Sequence, residues 1–329
     1  MAMNILVTGG AGFIGSNFIH YMLDAHPEDN LIDLDLLTYA GNLHNFDDIQ
    51  DQPKHIFVHG DIRNAQLVDF LFKTYDFDAV VNFAAESHVD RSILHPELFV
   101  QTNVEGTVNL LQTAKKYGIK KFLQVSTDEV YGSLGQTGYF DEETALAPNS
   151  PYSASKASAD MEVRAFYETY GLNVNITRTS NNYGPYQFPE KLIPLMVTNA
   201  MTGGDLPIYG DGQNIRDWLY VKDHGRAIDL VLREGKAGEI YNVGGHNEKT
   251  NNQIVQLIVD NLGISKDRIK YVKDRLGHDR RYAIDPSKIK RDLGWEPTIM
   301  FDEGIVKTID WYKNNEQWWQ PLKAKAALK

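Results

Sequence analysis

Two acidic residues and a hydroxyl group follow an apolar run in the first half of the chain. Residues 122–125 predict a buried strand of a parallel sheet, and Thr127, Asp128 and Glu129 come soon after it. Ligands of open α/β sheets bind beyond the carboxyl ends of the strands, so these side chains are expected beside a substrate. Two adjacent acids can divide proton transfer, one donating and the other accepting. On this stretch alone, a capping Asp and a solvated Glu are an equal alternative.

Tyr152 and Lys156 form a second candidate pair, on a helix predicted over residues 151–170. Residues four apart on a helix share one face, so the ammonium is expected near the phenol. A positive charge there favours the phenolate and should lower the tyrosine pKa toward neutrality. Such a phenolate can take the proton of an alcohol while hydride leaves the same carbon. For the isolated motif, an exposed Tyr–Lys pair without function is the alternative.

A glycine-rich turn joins the first predicted strand to the first predicted helix. Gly9, Gly12 and Gly15 match the pattern G-x-x-G-x-x-G, and Gly10 in place of Gly9 gives G-x-G-x-x-G. A turn without side chains lets a pyrophosphate approach the N–H groups at the positive end of a helix. A glycine motif alone is weak evidence, but the strand–turn–helix context supports dinucleotide binding.

An acidic residue is expected about 20 residues beyond such a turn, where it binds the ribose of the dinucleotide. Asp35 ends the second predicted strand at this distance. A carboxylate there favours NAD and repels the additional phosphate of NADP. Asp33 is the competing candidate, and the family resemblance given below favours Asp35.

Alternating apolar runs and amphipathic segments in the first half predict βαβ units and a parallel sheet. We expect strands at residues 5–8, 31–36, 56–58, 79–83, 122–125 and 174–178, with helices at 13–23, 65–75, 96–116 and 151–170. Beyond Asn181 the chain predicts loops, helices at 192–201, 221–232, 252–262 and 304–312, and a strand at 239–243. The predicted class is α/β, a Rossmann-type doubly wound parallel sheet. Its NAD-binding domain (1–180 and 217–245) would interleave with a smaller α+β substrate domain (181–216 and 246–329).

The net charge and the amino-acid composition of the chain limit the classes of partner that it can bind. The 329 residues carry a net charge of −11, which argues against nucleic acid and anionic membranes. There is no Cys, so disulfides, thiolate catalysis and Cys-ligated zinc are excluded. His88 and His278 have no second ligand at metal spacing, so no metal site is predicted. With no signal peptide or membrane-spanning run in view, cytoplasm is the expected compartment.

Together, the glycine turn, Tyr-x-x-x-Lys and the Ser/Thr strand end resemble the extended short-chain dehydrogenase/reductase superfamily. Longer loop motifs narrow the resemblance to the dTDP-glucose 4,6-dehydratase family, from about Asn4 to Leu322. These motifs are residues 38–42, 84–92, 126–132, 178–187 and 216–221. One departure is Leu276, where the family's ligand loop has Pro, and this change removes no polar group.

The resemblance implies a hydro-lyase that turns dTDP-glucose into a 4-keto-6-deoxy sugar with NAD. Tyr152 with Lys156 would deprotonate the 4-hydroxyl as hydride passes to NAD+. Glu129 would remove the C5 proton, Asp128 would protonate the departing 6-hydroxyl, and hydride would return to C6. Thr127 would bind the sugar's 4-oxygen. Asp128 must stay protonated to donate, and its neighbour Glu129 and a dry pocket would raise its pKa.

The resemblance also implies ligand contacts, some with structural alternatives. Asp61 could instead cap the next helix, Arg216 could pair with Asp217 rather than with the diphosphate, and Asn251 could be a helix cap. The implied NAD contacts are Gly9, Gly12, Phe13, Ile14, Gly15, Asp35, Leu36, Leu37, Thr38, Asp61, Ile62, Ala84, Ala85, Thr102, Tyr152, Lys156 and Asn182. The implied sugar-nucleotide contacts are Ser87, Thr127, Asn181, Lys191, Leu192, Pro207, Tyr209, Arg216, Asn251, Asp274, Arg275 and His278.

Several rival functions share this fold. A UDP-hexose 4-epimerase has no use for the acid and base of Asp128 and Glu129. GDP-mannose and CDP-glucose 4,6-dehydratases also need a proton donor and a base, so against them the case for thymine rests on the resemblance alone. A non-catalytic NAD-sensing protein would not need Tyr152 or Lys156. The resemblance further implies a homodimer through helices 96–116 and 151–170, and a product used for rhamnose or another deoxysugar.

Overall fold

The computed structural model describes residues 2–274 and 278–327. The described residues form twelve strands, numbered in chain order: β1 (Asn4–Thr8), β2 (Asn30–Asp35), β3 (His55–His59), β4 (Ala79–Asn82), β5 (Lys121–Thr127), β6 (Val174–Thr179), β7 (Asn181–Tyr183), β8 (Leu206–Tyr209), β9 (Ile215–Tyr220), β10 (Ile240–Val243), β11 (Glu248–Thr250) and β12 (Ile269–Val272). Seven of them make a parallel sheet in the order β10-β6-β5-β4-β1-β2-β3. The chain reverses its direction of progress across the sheet between β1 and β4, the place where such sheets bind ligands.

The described residues form twelve α-helices, some of which cover the two faces of this sheet while others surround the core of a second, smaller lobe. They are α1 (Phe13–Ala25), α2 (Ala65–Tyr75), α3 (Val89–Leu94), α4 (Pro96–Phe99), α5 (Gly106–Tyr117), α6 (Pro151–Tyr170), α7 (Leu192–Met201), α8 (Val221–Glu234), α9 (Asn251–Leu262), α10 (Ser287–Leu293), α11 (Phe301–Asn314) and α12 (Glu316–Ala327). Within the described residues, no helix has the length and apolar character needed to cross a bilayer.

The doubly wound class predicted from the sequence is confirmed by the two cores on opposite faces of the large sheet. Successive residues of a strand point to opposite faces. Accordingly, Ile5 and Val7 pack in the core that contains Phe18 of α1, whereas Leu6 packs in the core that contains Leu111 of α5. All five side chains are fully buried, and each contributes about 1.5–3 kcal/mol through removal from water.

The helix expected over residues 96–116 is interrupted. A π-helical turn at Val100–Glu105 separates α4 from α5, and turns of this kind are frequent at functional sites. Asn103 lies buried in the turn, where its amide donates to the Glu86 carbonyl oxygen at 3.0 Å and to Ser155 Oγ at 2.8 Å. The turn therefore connects the loop after β4 to the helix that bears Lys156.

A smaller lobe lies over the carboxyl ends of the large sheet. Its strands form the sheet β11-β9-β7 and the parallel pair β12-β8, and α7, α9 and α11 surround a core that contains Tyr183, Trp218 and Phe301. Trp295, from the segment before α11, packs instead in the core of the large sheet. The division into domains at residues 180, 216 and 245 remains a prediction.

Candidate active site

A cavity of about 600 Å³ lies between the carboxyl ends of the large sheet and the smaller lobe. Within the described residues, nearly all of the predicted cofactor and substrate residues line it. Leu37 and Asp274 do not line the cavity, but they contact residues that do: Leu37 N donates to Asp35 at 2.7 Å, and Asp274 accepts from His278 at 2.7 Å. Arg275, like Leu276, lies outside the described residues. The role of each residue in ligand binding remains a prediction.

The glycine turn is shaped by contacts between backbone segments. Gly9 has φ +72°, and a Cβ on it would lie 2.7 Å from Ala84 N. A Cβ on Gly15 would lie 2.4 Å from the Gly9 carbonyl oxygen. Helix α1 begins after Gly12 with no side-chain cap and with no acidic residue in its first turn. Because Gly12 and Phe13 line the cavity, the first-turn N–H groups are placed to bind an anion such as the pyrophosphate of NAD.

Two carboxylates of β2 hold this turn, and one of them faces the cavity. Asp35 accepts from Ala11 N at 3.0 Å and from Leu37 N at 2.7 Å, and it lines the cavity while only 8% exposed. Asp33 is fully buried away from the cavity and accepts from Gly10 N at 3.0 Å. Burial, and then the charge of Asp33, raise the pKa of Asp35 to about 6. The geometry favours Asp35 over Asp33 as the ribose ligand.

The acid–base stretch begins where β5 ends and continues as a 3-10 turn at Asp128–Tyr131. Thr127 Oγ1 donates to Asp128 Oδ1 at 3.4 Å and accepts from Glu129 N at 3.3 Å. Asp128 is 1% exposed, and its Oδ2 has no hydrogen-bond partner among the described residues. Burial, Glu129 and Asp217 raise the pKa of Asp128 well above its usual range, as the sequence predicted. The carboxyl group is thereby kept in the form that can donate a proton.

Tyr152 and Lys156 both line the cavity, but their electrostatics differ from the prediction. Lys156 Nζ donates to the Val125 carbonyl oxygen at 2.8 Å. Burial lowers the pKa of Lys156 to about 8, against the opposing charge of Asp160. Burial, followed by the charge of Glu129, raises the pKa of Tyr152 above its ordinary value. The expectation that the tyrosine pKa is lowered toward neutrality is wrong for this structure, because burial and the charge of Glu129 raise it.

Asp61 and Asn251 are not the helix caps that the sequence left open. Asn64 caps α2 by accepting from Leu67 N, and Thr250 caps α9. Asp61 instead accepts from the Arg63 guanidinium, with its shortest contact at 2.6 Å, and these hydrogen bonds lower the pKa of Asp61 although burial opposes them. Both Asp61 and Asn251 line the cavity, so each can contact a ligand.

Arg216 does not depend on its neighbour Asp217 for a partner. Its guanidinium donates to the Ile215 carbonyl oxygen at 2.7 Å and to the Asp279 carbonyl oxygen at 2.9 Å. It also lies 4.3 Å from the centre of the Tyr282 ring. Asp217 accepts from backbone N–H groups of the loop after β10. The fork of Arg216 is therefore held at the cavity wall in a position suited to phosphate oxygens.

Sequence reasoning missed several polar residues of this region. Tyr282 lines the cavity beside Arg216, and Glu190 lines it while accepting from Tyr39 Oη at 2.9 Å. Asp160 and Arg178 form a buried ion pair behind the cavity. The available signal for Asp160 was its position four residues beyond Lys156, on the same helix face. The signal for Arg178 was its position in the loop motif of residues 178–187, which resembles the dehydratase family.

No group of three His, Asp or Glu side chains suited to holding a metal ion occurs in the described part of the chain. His88 lies 3.7 Å from Glu190, and its ring accepts from Arg91 N at 3.4 Å as the cap of α3. His278 contacts Asp274. Both histidines are therefore engaged in local hydrogen bonding.

Comparisons with known proteins agree with this geometry. The family model described as GDP-mannose 4,6 dehydratase matches residues 6–308. The dTDP-glucose 4,6-dehydratase of Xanthomonas campestris pv. campestris is 54% identical over 334 residues, covering 96% of this chain and 94% of that protein.

Two crystal structures of dTDP-glucose 4,6-dehydratases are also similar. That from Bacillus anthracis, in complex with NAD, is 58% identical with a TM-score of 0.92, and the match covers 98% of this chain and 100% of that one. The structure from Streptomyces venezuelae, with NAD and dTDP bound, is 52% identical with a TM-score of 0.95. The match covers 97% of this chain and 100% of that one. This chain therefore belongs to the dTDP-glucose 4,6-dehydratase family of the extended short-chain dehydrogenase/reductase superfamily, and it is an NAD-dependent hydro-lyase of sugar nucleotides.

Proposed function

We propose that this chain converts dTDP-glucose to dTDP-4-keto-6-deoxyglucose and water, with the roles of its residues divided as follows. The observation that carries the proposal is the pairing of a buried carboxyl group, Asp128, with Glu129 in the cavity that Tyr152 and the glycine turn also line. An epimerase has no use for this acid and base, whereas expulsion of water needs both.

Tyr152 accepts the proton of the sugar's 4-hydroxyl in the first step. Bound NAD+ supplies the hydride acceptor at C4 and the later hydride donor to C6, together with a positive charge that favours the phenolate. The Lys156 ammonium, at the same cavity wall, acts in the same direction. Thr127 donates to the 4-oxygen and stabilises the charge that develops on it.

Elimination of water follows from the 4-keto group, which makes the C5 proton acidic. Glu129 takes that proton, and the C5–H electron pair forms a double bond to C6. The C6–O bond breaks as Asp128 donates its proton to the departing hydroxyl, which leaves as water. The raised pKa of Asp128 keeps the proton available for this step. Glu129 then returns its proton to C5 as hydride is delivered to C6, which completes the 6-deoxy sugar.

The remaining cavity residues divide between the two ligands. The first turn of α1 and Asp35 are proposed to hold the pyrophosphate and ribose of NAD. Arg216 is proposed to bind the diphosphate of the sugar nucleotide. Support comes from their positions along one cavity that reaches from the glycine turn to the smaller lobe. The domain division at residues 180, 216 and 245 is proposed on the same ground.

A homodimer is proposed through α6 and the helical segment at residues 96–116. Val100 and Met161 are exposed apolar side chains on these elements, and pairing two copies would remove them from water. Sedimentation analysis tests this proposal, since a monomer at micromolar concentration would contradict it. We propose the cytoplasm as the compartment of the protein. We also propose that its product is used to make rhamnose or another deoxysugar of a cell-surface polymer.

The proposed function is tested by incubating the purified protein with dTDP-, UDP-, GDP- and CDP-activated hexoses. Mass spectrometry should show loss of one water with dTDP-glucose and a product that carries a 4-keto group. An isomer of unchanged mass would indicate epimerisation instead. Preferential dehydration of a GDP- or CDP-hexose would overturn the assignment of the base.

A further inference from the structure

Asp160 lies one helical turn beyond Lys156 on α6 and is 1% exposed. Its Oδ2 accepts from Ser126 Oγ at 3.0 Å and from Arg178 Nε at 3.0 Å. Ser126 immediately precedes Thr127 in β5. One carboxylate therefore joins the helix of the Tyr–Lys pair to the beginning of the acid–base stretch.

Arg178, on β6, extends this connection to the other end of the stretch. Its side chain is 4% exposed, and its Nη1 donates to Tyr131 Oη at 3.0 Å. Tyr131 closes the 3-10 turn that bears Asp128 and Glu129, and its hydroxyl donates in turn to Asn242 Oδ1 at 2.8 Å. Both ends of the acid–base stretch are thus tied to one ion pair.

We propose that Asp160 and Arg178 are a positioning pair, which holds the acid–base stretch in register with Tyr152 and Lys156 so that oxidation at C4 and elimination at C5 and C6 act on one bound sugar. The inference rests on the proposed function. Neither Asp160 nor Arg178 is among the described residues that line the cavity, so both act through other residues.

Stability alone does not account for such a pair. A buried ion pair is often no more stabilising than apolar residues of the same volume, because two charges lose their hydration. Here both members also hold polar groups from two other elements, Ser126 and Tyr131. Buried ionic groups fix the positions of their partners in some proteins, and this is the role that we assign to the pair.

The ion pair of Asp160 and Arg178 also affects the protonation of Lys156. The titratable groups that face Asp160 are Lys156 and Tyr152 on its own helix, Arg178 on β6 and Tyr131 after β5. Burial lowers the pKa of Lys156, and Asp160 raises it. Removing the Asp160 charge should therefore let Lys156 lose its proton at a lower pH.

The test compares Asp160→Asn with the matched control Asp29→Asn. Asp29 is also 1% exposed and also accepts from an arginine, Arg233 Nη2 at 2.6 Å, but it lies at the amino end of β2. Asp160→Asn should lower kcat for dTDP-glucose about 100-fold with little change in KM, as expected for displaced catalytic groups. The alkaline limb of the pH–rate profile of Asp160→Asn should move to lower pH. Asp29→Asn should lower Tm and leave kcat and the pH profile unchanged.

Hydrogen–deuterium exchange gives a readout that does not depend on turnover. Asp160→Asn should lose protection in the peptide that covers residues 126–132, and Asp29→Asn should not. Unchanged protection of this peptide, or equal effects of the two variants on kcat, would overturn the proposal. Absence of wild-type turnover would instead count against the proposed function, while the exchange result would still decide the role of the pair.

Tyr131→Phe provides a milder variant that keeps the ring stacked on Phe140, whose centre is 5.1 Å away. It removes two hydrogen bonds, the one from Arg178 and the one to Asn242, without removing a charge. We expect about a tenfold lower kcat, within the range of one to two lost hydrogen bonds, with the alkaline limb of the pH–rate profile unmoved. Full activity of Tyr131→Phe would show that Arg178 does not hold this end of the stretch.

Discussion

Two pairs of acidic residues lie at the same edge of the large sheet and have different surroundings. Asp33 and Asp35 belong to β2, and Asp128 and Glu129 follow β5. Burial raises the pKa of three of these groups, Asp33, Asp35 and Asp128. Desolvation therefore does not distinguish a binding pair from a catalytic pair.

The difference lies in the hydrogen-bond partners. The β2 carboxylates accept from the backbone N–H groups of Gly10, Ala11 and Leu37, so they are fixed as part of the glycine turn. Asp33 Oδ2 also lacks a hydrogen-bond partner among the described residues, but it lies 3.7 Å from His55 Nε2 and away from the cavity. Asp128 Oδ2 lacks a partner in a residue that lines the cavity. A buried polar atom without a partner is costly, so one at a cavity wall is a candidate for contact with a ligand.

The strongest test of this comparison is Glu129→Gln. Because Gln cannot accept the C5 proton, we expect kcat for dTDP-glucose to fall about 10²–10⁴-fold, the usual contribution of a general base. Oxidation at C4 and substrate binding should remain. NMR in deuterated water should show loss of solvent exchange at C5, and unaltered turnover would defeat the assignment of Glu129 as the base.

A smaller effect, on binding rather than chemistry, is expected at β2. Asp35→Ala removes the acceptor for Ala11 N and the proposed ribose ligand, so the NAD dissociation constant should rise about 10- to 100-fold, as for loss of charged hydrogen bonds. Calorimetric titration measures the change. Asp33→Asn is the matched control, because it keeps an oxygen for Gly10 N and does not face the cavity. Equal loss of affinity in the two variants would contradict the distinction.

Much of the fold could be predicted because its main elements have strong local patterns. The helices at Ala65–Tyr75, Pro151–Tyr170 and Leu192–Met201 have the bounds expected from periodicity, Pro and Gly. The short strands of the smaller lobe were missed. Leu206–Tyr209 pairs with Ile269–Val272, about 60 residues later, and such pairing leaves little signal in a four-residue segment.

The site was predictable where a motif stands on a strand end, as at Asp128 and Asp35. The ion pair of Asp160 and Arg178 was missed because it forms between a helix and a strand that no local pattern connects. The raised pKa of Tyr152 was also missed. Spacing placed the lysine on the same helix face, but burial and the charge of Glu129 depend on the tertiary fold.

The smallest predicted effect concerns the pH dependence of stability at Asp35. Its pKa rises from an ordinary 3.8 to about 6 on folding, so between these values the folded chain binds more protons than the unfolded chain. The contribution of this group to the free energy of unfolding therefore falls as pH rises through that window, by about 1.4 kcal/mol between pH 5 and 7.5. Denaturant unfolding of NAD-free protein should show wild type losing that much more stability than Asp35→Asn over this range. Asp128→Asn should show a difference of the same sign, because burial also raises the pKa of Asp128. A difference between wild type and Asp35→Asn that does not change with pH would mean that Asp35 is not desolvated, and the comparison of the two acid pairs would then fail.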